Sequence, residues 1–253
     1  MGPVNTSGQD SLGRAVREAG IEVLPVWFDE VGSTNDEARR LAREGAPEWT
    51  VVAAGHQTAG RGRLGRPWFD VPGSALLFSV ILRPAMTPAE APLLGLLAAV
   101  DLIAAASTPD LRSKWPNDLV IGERKVAGIL MEAGVVRDRL SHVILGIGVN
   151  LAMRDDELPV DLRRTATSLF AEPGALLTAF LVGFRSDVHR PSRGIIEDYR
   201  GVCDTMGRRV RATATSGEVI EGIAVDIDDR GALVIEGDGL RMVVASGEVA
   251  HLR

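Results

Sequence analysis

Residues 60–68 read GRGRLGRPW, and the residues around them decide the fold class. The glycines match the pattern G-x-G-x-x-G, which in a dinucleotide-binding fold opens a helix whose N terminus receives pyrophosphate. Here Pro67 is followed by an apolar run, residues 75–82, and a similar run, residues 50–54, precedes the glycines. Short continuous apolar runs are typical of buried strands. The pattern therefore predicts a loop that joins two strands of one sheet, and it argues against a Rossmann fold.

The same loop concentrates positive charge. It carries Arg61, Arg63 and Arg66, and no acidic residue lies between Glu48 and Asp70, although the chain has a net charge of −6. Glycines between the arginines let the main chain approach a ligand closely, and guanidinium groups bind carboxylates and phosphates. The sequence favours an anion-binding loop, and a mobile, solvated loop is the alternative interpretation.

The elements on both sides of the loop predict a mixed α/β domain. Ser33 and Thr34 precede an acidic turn, a helical stretch and Gly45, as at a capped helix. Thr87 and Glu90 form a capping-box pattern, which predicts that an apolar helix opens there and continues to residue 106. The other predicted elements are a short helix at 11–19, a strand near 23–28, strands at 118–121 and 143–149 around the run 125–132, and a helix at 175–188.

Residues after Cys203 have a different pattern, with short alternating runs at 210–214, 219–227, 232–235 and 240–244. Turns that contain glycine separate these runs, which predicts a small all-β barrel. The barrel segment contains no Phe, Trp or Tyr, so it offers no platform on which bases could stack. We therefore expect three parts: a tail at 1–20, an α/β domain at 21–203 and the barrel at 204–253.

Composition and charge limit the class of protein. The net charge of −6 opposes binding to phosphate backbones, which depends on clustered Lys and Arg. The single cysteine excludes an internal disulfide, and the first twenty residues lack the pattern of a secretory signal. The longest apolar stretch, 91–106, is shorter than the ~20 residues that span a bilayer, and it contains Asp101. We expect a cytoplasmic protein with no nucleic-acid or membrane partner.

Lysine and amide residues are rare, and their positions are informative. The chain has 26 Arg but only two Lys, which are Lys114 in KWPND (114–118) and Lys125 in KVAGIL (125–130). Because Lys and Arg differ in geometry, the two lysines indicate positions that need a compact ammonium, unless their placement is chance. Apart from two amides among the first nine residues, the Asn and Gln residues are Asn35, Gln57, Asn117 and Asn150, all inside motifs.

Two other kinds of site find no support. The four His residues show no metal-ligand spacing, and no Ser, His and Asp set predicts a hydrolytic triad. We expect no protein metal cluster. Ser33, Thr34 and Asn35 have a structural interpretation as a helix cap, which is compatible with ligand binding because both use groups at a helix start.

Five motifs, taken in order, resemble the biotin protein ligase family: GSTN (32–35), QTAGRGRLGRPW (57–68), KWPND (114–118), KVAGIL (125–130) and GIGVN (146–150). The resemblance covers about residue 23 to the C terminus. It implies a mixed-sheet, class II synthetase-like catalytic domain followed by an SH3-like β-barrel. It also implies an ATP-dependent ligase that activates biotin as biotinyl-5′-AMP and transfers it to a lysine of a biotin carboxyl carrier domain, such as that of acetyl-CoA carboxylase.

The resemblance further implies roles for individual residues. Lys125 would contact the reacting carboxylate and α-phosphate, Arg61 would assist it, and Mg²⁺ would be held mainly by the phosphates of ATP. We add the hypothesis that Asp118 positions or deprotonates the acceptor amine. The residues implied for biotin are Ser33, Thr34, Asn35, Gln57, Gly60, Arg61, Gly62, Arg63, Lys125 and Gly128. Those implied for ATP or the adenylate are Arg63, Arg66, Trp68, Asn117, Asp118, Lys125 and Asn150, with residues 167–169 nearby.

Two other functions stay open. The wider resemblance includes lipoate or octanoate protein ligases and transferases, which also modify a carrier lysine. A non-catalytic, biotin-binding regulator is the second alternative, because some family members carry an N-terminal winged helix and repress transcription. Residues 1–20 are too few for a helix-turn-helix domain, so we do not expect the repressor role here.

Overall fold

A seven-stranded mixed sheet forms the centre of the molecule. The computed structural model describes residues 6–252. The strand order is β1-β2-β3-β7-β6-β5-β4; β1 pairs with β2 in parallel, and the other neighbours are antiparallel. The strands are Val26–Phe28 (β1), Val51–Ala54 (β2), Ala75–Leu82 (β3), Leu111–Lys114 (β4), Asp118–Ile121 (β5), Arg124–Val136 (β6) and Arg139–Asn150 (β7).

Helices cover both faces of this sheet. Because side chains alternate along a strand, Val51 of β2 packs with most of the helices, whereas Val52 faces α2 on the other side together with Ile81 and Ile144. The long buried strand β3 therefore contributes to two hydrophobic clusters. The helices are Thr6–Glu18 (α1), Thr34–Arg43 (α2), Pro92–Ala106 (α3), Pro173–Asp187 (α4) and Ser192–Val202 (α5).

Residues 60–68 connect β2 and β3, which are antiparallel neighbours, so the loop joins two adjacent strands of one sheet as predicted. The two strands that flank the loop lie in the middle of the fold and are almost fully buried. Both ends of the loop therefore start from a rigid platform. No α-helix begins at the glycines, and the loop contains only a single 3-10 turn, Arg63–Gly65.

Some predicted helix bounds are wrong. The apolar helix begins at Pro92, not at the Thr87–Glu90 pattern. The Glu90 carboxylate does accept hydrogen bonds from the main chain and hydroxyl of Thr87, each 2.8 Å long, but they close a separate turn before the helix. The first helix begins at Thr6, earlier than predicted, and packs against the core through Leu12, Ala15 and Val16.

The C-terminal part is a five-stranded antiparallel sheet with the order β11-β10-β9-β8-β12. Four of its strands were predicted, and the fifth, β12, was not. The sheet joins the main core through Trp115, a fully buried side chain whose Nε1 donates to the carbonyl of Gly231 at 3.0 Å. The strands are Arg209–Ala214 (β8), Val219–Ile227 (β9), Leu233–Gly237 (β10), Leu240–Val244 (β11) and Gly247–His251 (β12).

Within residues 6–252, no helix has the length and apolar character needed to cross a membrane.

Candidate active site

A cleft lies over the centre of the large sheet, between the start of α2, the arginine loop, and strands β6 and β7. It holds about 420 Å³ of empty space, including its open mouth. Its walls come from all five sequence motifs. The lining residues are Ser33, Thr34, Asn35, Gln57, Arg61, Gly62, Trp68, Asn117, Lys125, Gly128, Ile129, Leu130, Gly146, Ile147 and Gly148. We call this the first cleft.

A second, larger cleft lies between the arginine loop, the 114–118 turn and the C-terminal sheet, with about 1150 Å³ of empty space. Gly62, Trp68, Asn117 and Lys125 line both clefts, so the two meet at these residues. The second cleft is lined by Gly62, Arg63, Arg66, Pro67, Trp68, Lys114, Trp115, Pro116, Asn117, Asp118, Lys125, Arg211, Thr213, Gly247, Glu248, Val249 and Ala250.

The floor of the first cleft is made of glycine main chain. Gly128 of β6 and Gly148 of β7 are directly paired in the sheet. A Cβ atom at Gly128 would lie 3.0 Å from the ring of Trp68, and one at Gly148 would lie 2.8 Å from it. The indole therefore rests on backbone, and its Nε1 is buried without a hydrogen-bond partner among the described residues.

Polar groups at the start of α2 form one wall. Gln57 Oε1 accepts from the main-chain N–H of Thr34 at 2.7 Å and from its hydroxyl at 3.1 Å. The buried Ser79 hydroxyl lies 2.8 Å from Thr34 Oγ1 and 2.7 Å from Asn35 Oδ1. Ser33 occupies the N-cap position, but its side chain makes no capping bond within the described chain. The cap interpretation of the Ser33 side chain therefore needs correction, and Ser33 lines the first cleft.

Lys125 lies where the two clefts join. Its Nζ is 2.7 Å from Asp118 Oδ1 and 5.4 Å from the ring centroid of Trp68. Its main chain is clamped, because Lys125 N donates to Thr165 O at 2.7 Å and Thr167 N donates to Lys125 O at 2.8 Å. The Lys125 side chain is about one-third exposed, so a fixed backbone presents a cation that a ligand can reach.

Two implied residues, Asn150 and Gly60, lie outside the linings of both clefts. Asn150 is buried and donates to Thr167 O at 3.1 Å and more weakly to Lys125 O at 3.5 Å. It contacts the segment that clamps Lys125. Gly60 forms the stem of the loop, where its carbonyl accepts from Trp68 N at 2.9 Å.

The loop folds as a small hairpin, and its three arginines have different partners. Arg61 makes two hydrogen bonds to Asp36, of 2.7 and 2.6 Å, and Arg66 lies 2.5 Å from Glu248. Arg63 makes one described hydrogen bond, of 3.3 Å, to the Ser246 hydroxyl. Burial lowers the pKa of Arg63, although Asp118 and Glu248 act in the opposite direction. Arg63 is thus a partly desolvated cation without a carboxylate of residues 6–252 in ion-pair distance.

Several residues at the site were not predicted from the sequence. Ser79 is a lone hydroxyl inside an apolar strand, which was the one signal it gave. Asp36 gave no signal in the sequence, because acidic residues are common in the first turn of a helix. Arg211 belongs to the C-terminal sheet, and it lines the second cleft only because that sheet packs beside the loop. Lys114, by contrast, stood out in the sequence because lysine is rare in this chain, and it also lines the second cleft.

Across residues 6–252, His, Cys, Asp and Glu side chains form no group of three or more that could hold a metal ion. Asp118, the carboxylate nearest the junction, is already paired with Lys125.

Comparison with known proteins gives matches over most of the chain. Residues 27–150 match the biotin/lipoate A/B protein ligase family, and residues 205–252 match the biotin protein ligase C-terminal domain. The biotin--[acetyl-CoA-carboxylase] ligase of Mycobacterium tuberculosis is 34% identical over 245 residues, covering 88% of this chain and 87% of the relative. The bifunctional ligase/repressor BirA of Bacillus subtilis is 34% identical over 237 residues, covering 87% and 72%.

Solved structures agree with these matches. The biotin protein ligase from Aquifex aeolicus in complex with biotin and ATP superimposes with a TM-score of 0.74 at 28% identity, covering 90% of this chain and 98% of that one. The predicted mixed α/β fold with a C-terminal β module is thereby confirmed. Together, the family matches, the identities and the superposition show that the chain belongs to the biotin protein ligases of the biotin/lipoate A/B protein ligase family.

Proposed function

We propose that this protein activates biotin with ATP as biotinyl-5′-AMP and then transfers the biotinyl group to a lysine of a biotin carboxyl carrier domain. The observation that carries the proposal is the junction of the two clefts at Lys125. A small cleft with a floor of glycine main chain suits biotin, and the larger cationic cleft suits a nucleotide with its phosphates. The relative from Mycobacterium tuberculosis is a biotin--[acetyl-CoA-carboxylase] ligase, and the Aquifex aeolicus structure contains biotin and ATP.

In the first step, the biotin carboxylate attacks the α-phosphorus of ATP, which enters as its magnesium complex. The new bond joins the carboxylate oxygen to phosphorus, and the bond to pyrophosphate breaks. Two like charges ~4 Å apart repel by ~4 kcal/mol at an effective dielectric constant near 20. Lys125 and Arg63 are the cations that we assign to offset this repulsion. Lys125 lies where the clefts meet, and Arg63 lines the second cleft and has no carboxylate of the described residues within ion-pair distance.

We divide the binding roles between the two clefts. We assign biotin to the first cleft, with Ser33, Thr34 and Gln57 as its polar contacts. We assign the departing pyrophosphate to the second cleft, where Lys114 and Arg211 add positive charge beyond Arg66. We assign to Asn150 the support of the Lys125 main chain, and its contact with ATP or the adenylate stays a prediction.

In the second step, the neutral amine of the carrier lysine attacks the carbonyl carbon of the adenylate, and AMP leaves. Asp118, held 2.7 Å from Lys125, is our candidate for positioning the amine or accepting its proton. The arginine loop covers the junction and keeps water from the mixed anhydride until the carrier arrives.

The first test is exchange of labelled pyrophosphate into ATP by the purified protein, with biotin and lipoate as parallel substrates. We expect exchange with biotin and none with lipoate. Exchange driven by lipoate alone would assign the protein to lipoate ligation instead. Absence of exchange with both substrates, from folded protein with magnesium, would leave a biotin-binding regulator as the better interpretation.

A further inference from the structure

Asp36 holds the first arginine of the loop in a fixed position. Its two carboxylate oxygens accept from the two terminal nitrogens of Arg61 at 2.7 and 2.6 Å, a two-pronged geometry that fixes a guanidinium in both distance and orientation. The pair lowers the pKa of Asp36, mainly through these hydrogen bonds, and raises the pKa of Arg61. Both side chains are ionised at neutral pH.

Asp36 is itself held in place from behind. Arg39, one turn further along α2, donates to Asp36 at 2.9 Å and to Glu132 of β6 at 2.5 Å. Glu132 also accepts from the Asn35 amide at 2.8 Å. The network therefore ties α2, β6 and the arginine loop together, and it includes Asn35, which lines the first cleft.

Arg61 is the loop residue through which this network reaches the cleft. Arg61 forms a β-bridge with Pro67 across the hairpin, and Gly62 N donates to Arg66 O at 2.7 Å, so the two arms are joined to each other. Arg61 and Gly62 both line the first cleft. The other side of the hairpin is fixed separately, by the pair between Arg66 and Glu248.

We propose that Asp36 is a positioning residue that acts through Arg61 and sets the closed position of the arginine loop over the first cleft. The inference rests on the proposed function, because it takes the first cleft as the biotin site. It assigns to α2 a role beyond its polar N terminus: the helix fixes the loop that covers the substrate.

The test compares Asp36→Asn with Glu37→Gln. Both changes remove one negative charge from the first turn of α2. Glu37 pairs with Arg40 of the same helix, which lines neither cleft, whereas Asp36 pairs with Arg61, which lines the first cleft. In biotin-dependent pyrophosphate exchange we expect Asp36→Asn to raise KM for biotin about fivefold, the upper range for an ion pair whose side chains are 37% and 40% exposed. We expect Glu37→Gln to stay within about twofold of the wild type.

A second arm uses Arg61→Ala as background. If Asp36 acts through Arg61, then adding Asp36→Asn to Arg61→Ala changes KM for biotin by less than about twofold, because the interaction is already gone. An equal effect of Asp36→Asn in both backgrounds, or equal behaviour of Asp36→Asn and Glu37→Gln, overturns the inference. Absence of biotin-dependent exchange in the wild type would instead overturn the proposed function, and the inference with it.

Trypsin cleavage of the loop gives a measurement that does not depend on catalysis and separates a change in loop position from a folding defect. Trypsin can cleave after Arg61 and Arg63, whereas Pro67 blocks cleavage after Arg66. At a temperature where circular dichroism shows all variants folded, we expect loop cleavage to be several times faster in Asp36→Asn than in Glu37→Gln, because cleavage follows local opening. Asp36→Glu, which keeps the charge, should restore much of the protection. Equal cleavage of Asp36→Asn and Glu37→Gln contradicts the positioning role.

Discussion

Lys125 is reached from both clefts and is held by its main chain, its partner Asp118 and the ring of Trp68. We predict that Lys125→Ala lowers the rate of adenylate formation by ~10²-fold or more, the scale of losing one preorganised charge stabiliser. The measurement is single-turnover formation of biotinyl-5′-AMP. Arg124→Ala is the matched control, because it removes the neighbouring cation. The Arg124 side chain is exposed, and it makes only a long ion pair, of 3.7 Å, with Asp155. Near-normal rates in Lys125→Ala would show that the assignment is wrong.

At the residue scale, rarity made the site predictable. Lys114, Lys125, Gln57 and Asn117 stood out because the chain uses few lysines and amides, and all four line a cleft. Common residue types gave no such signal. Acidic residues are frequent, so nothing in the sequence distinguished Asp36 from its neighbour Glu37, and their different partners become visible only once α2 lies beside the loop.

At the scale of single elements, the glycine floor of the first cleft predicts how a side chain added there changes KM for biotin. In Gly148→Ala, the new Cβ would meet the Trp68 ring at 2.8 Å, so the indole must shift while β7 keeps its pairing. We expect KM for biotin to rise at least about threefold with little change in the midpoint of thermal unfolding, because a flexible side chain can yield.

The control for that change lies in a helix. Gly95 is inside α3, and no atom outside its own helix and chain neighbours lies within 4 Å of the position of an added Cβ. Gly95→Ala should therefore stabilise the protein by about 0.5–1 kcal/mol through helix propensity and leave KM unchanged. An unchanged KM in Gly148→Ala would mean that Trp68 does not rest on this floor in solution.

Helix α3 also carries a buried acid. Asp101 is 6% exposed, and its Oδ2 has no hydrogen-bond partner in the described part of the chain. Burial, reinforced by Asp187, raises its pKa to about 7. Because the folded-state pKa lies above the unfolded value of 3.8, folding favours the protonated form. Ionisation of Asp101 therefore destabilises the fold progressively as the pH rises from about 4 through 7.

We predict that Asp101→Asn stabilises the protein at pH 8 by up to ~4 kcal/mol, the free energy that corresponds to moving the pKa from 3.8 to about 7. The gain should shrink steadily toward pH 4. Urea unfolding at several pH values measures it, with the exposed Asp110→Asn as the control. A gain that does not depend on pH would contradict titration of Asp101 as its source.

Element types were easier to predict than their bounds. The long apolar strand β3 was predicted to the residue, since a continuous buried run has clear edges. The start of α3 was misplaced, because the Thr87 and Glu90 pattern forms its hydrogen bonds in a turn just as well as in a helix. Helix α5 buries only Ile195, Ile196 and Tyr199, so its apolar face is too sparse to stand out in the sequence.

At the scale of the whole molecule, the two sheets share one core. Trp115 is buried between them, and one hydrophobic cluster includes Phe78 of the large sheet and Leu233 of the small one. Leu96 of α3 also packs closely against Gly231. The predicted division at residue 203 falls between α5 and β8 and stays a prediction, since these contacts cross it.

We therefore predict a single cooperative unfolding transition, with coincident curves from tryptophan fluorescence and far-ultraviolet circular dichroism. Trp115→Phe removes the bond to Gly231 O and leaves a buried carbonyl without its partner, which should cost about 1–3 kcal/mol and lower the midpoint of that one transition. Two separated transitions, with the C-terminal sheet melting first, would show that the parts are independent.

The arrangement of the two parts could not be predicted from the sequence. Each part was identifiable from its own hydrophobic period, but the second cleft depends on how they pack, and Arg211 and Glu248 enter it from a sheet that carries none of the five motifs. Long-range packing of this kind leaves no local pattern in the chain.

The scarcity of lysine has a chemical consequence for an enzyme that makes an acyl adenylate. Such an intermediate acylates neutral amines, whereas the guanidinium of arginine stays protonated in proteins and does not react. The chain has two side-chain amines, Lys114 and Lys125, and both line the second cleft. An acyl adenylate that escapes into solution therefore meets almost no amine that it could acylate on the enzyme that formed it. It would instead acylate other proteins that are rich in lysine. Mass spectrometry of the enzyme after incubation with its substrates should find any self-labelled side chain at these two positions.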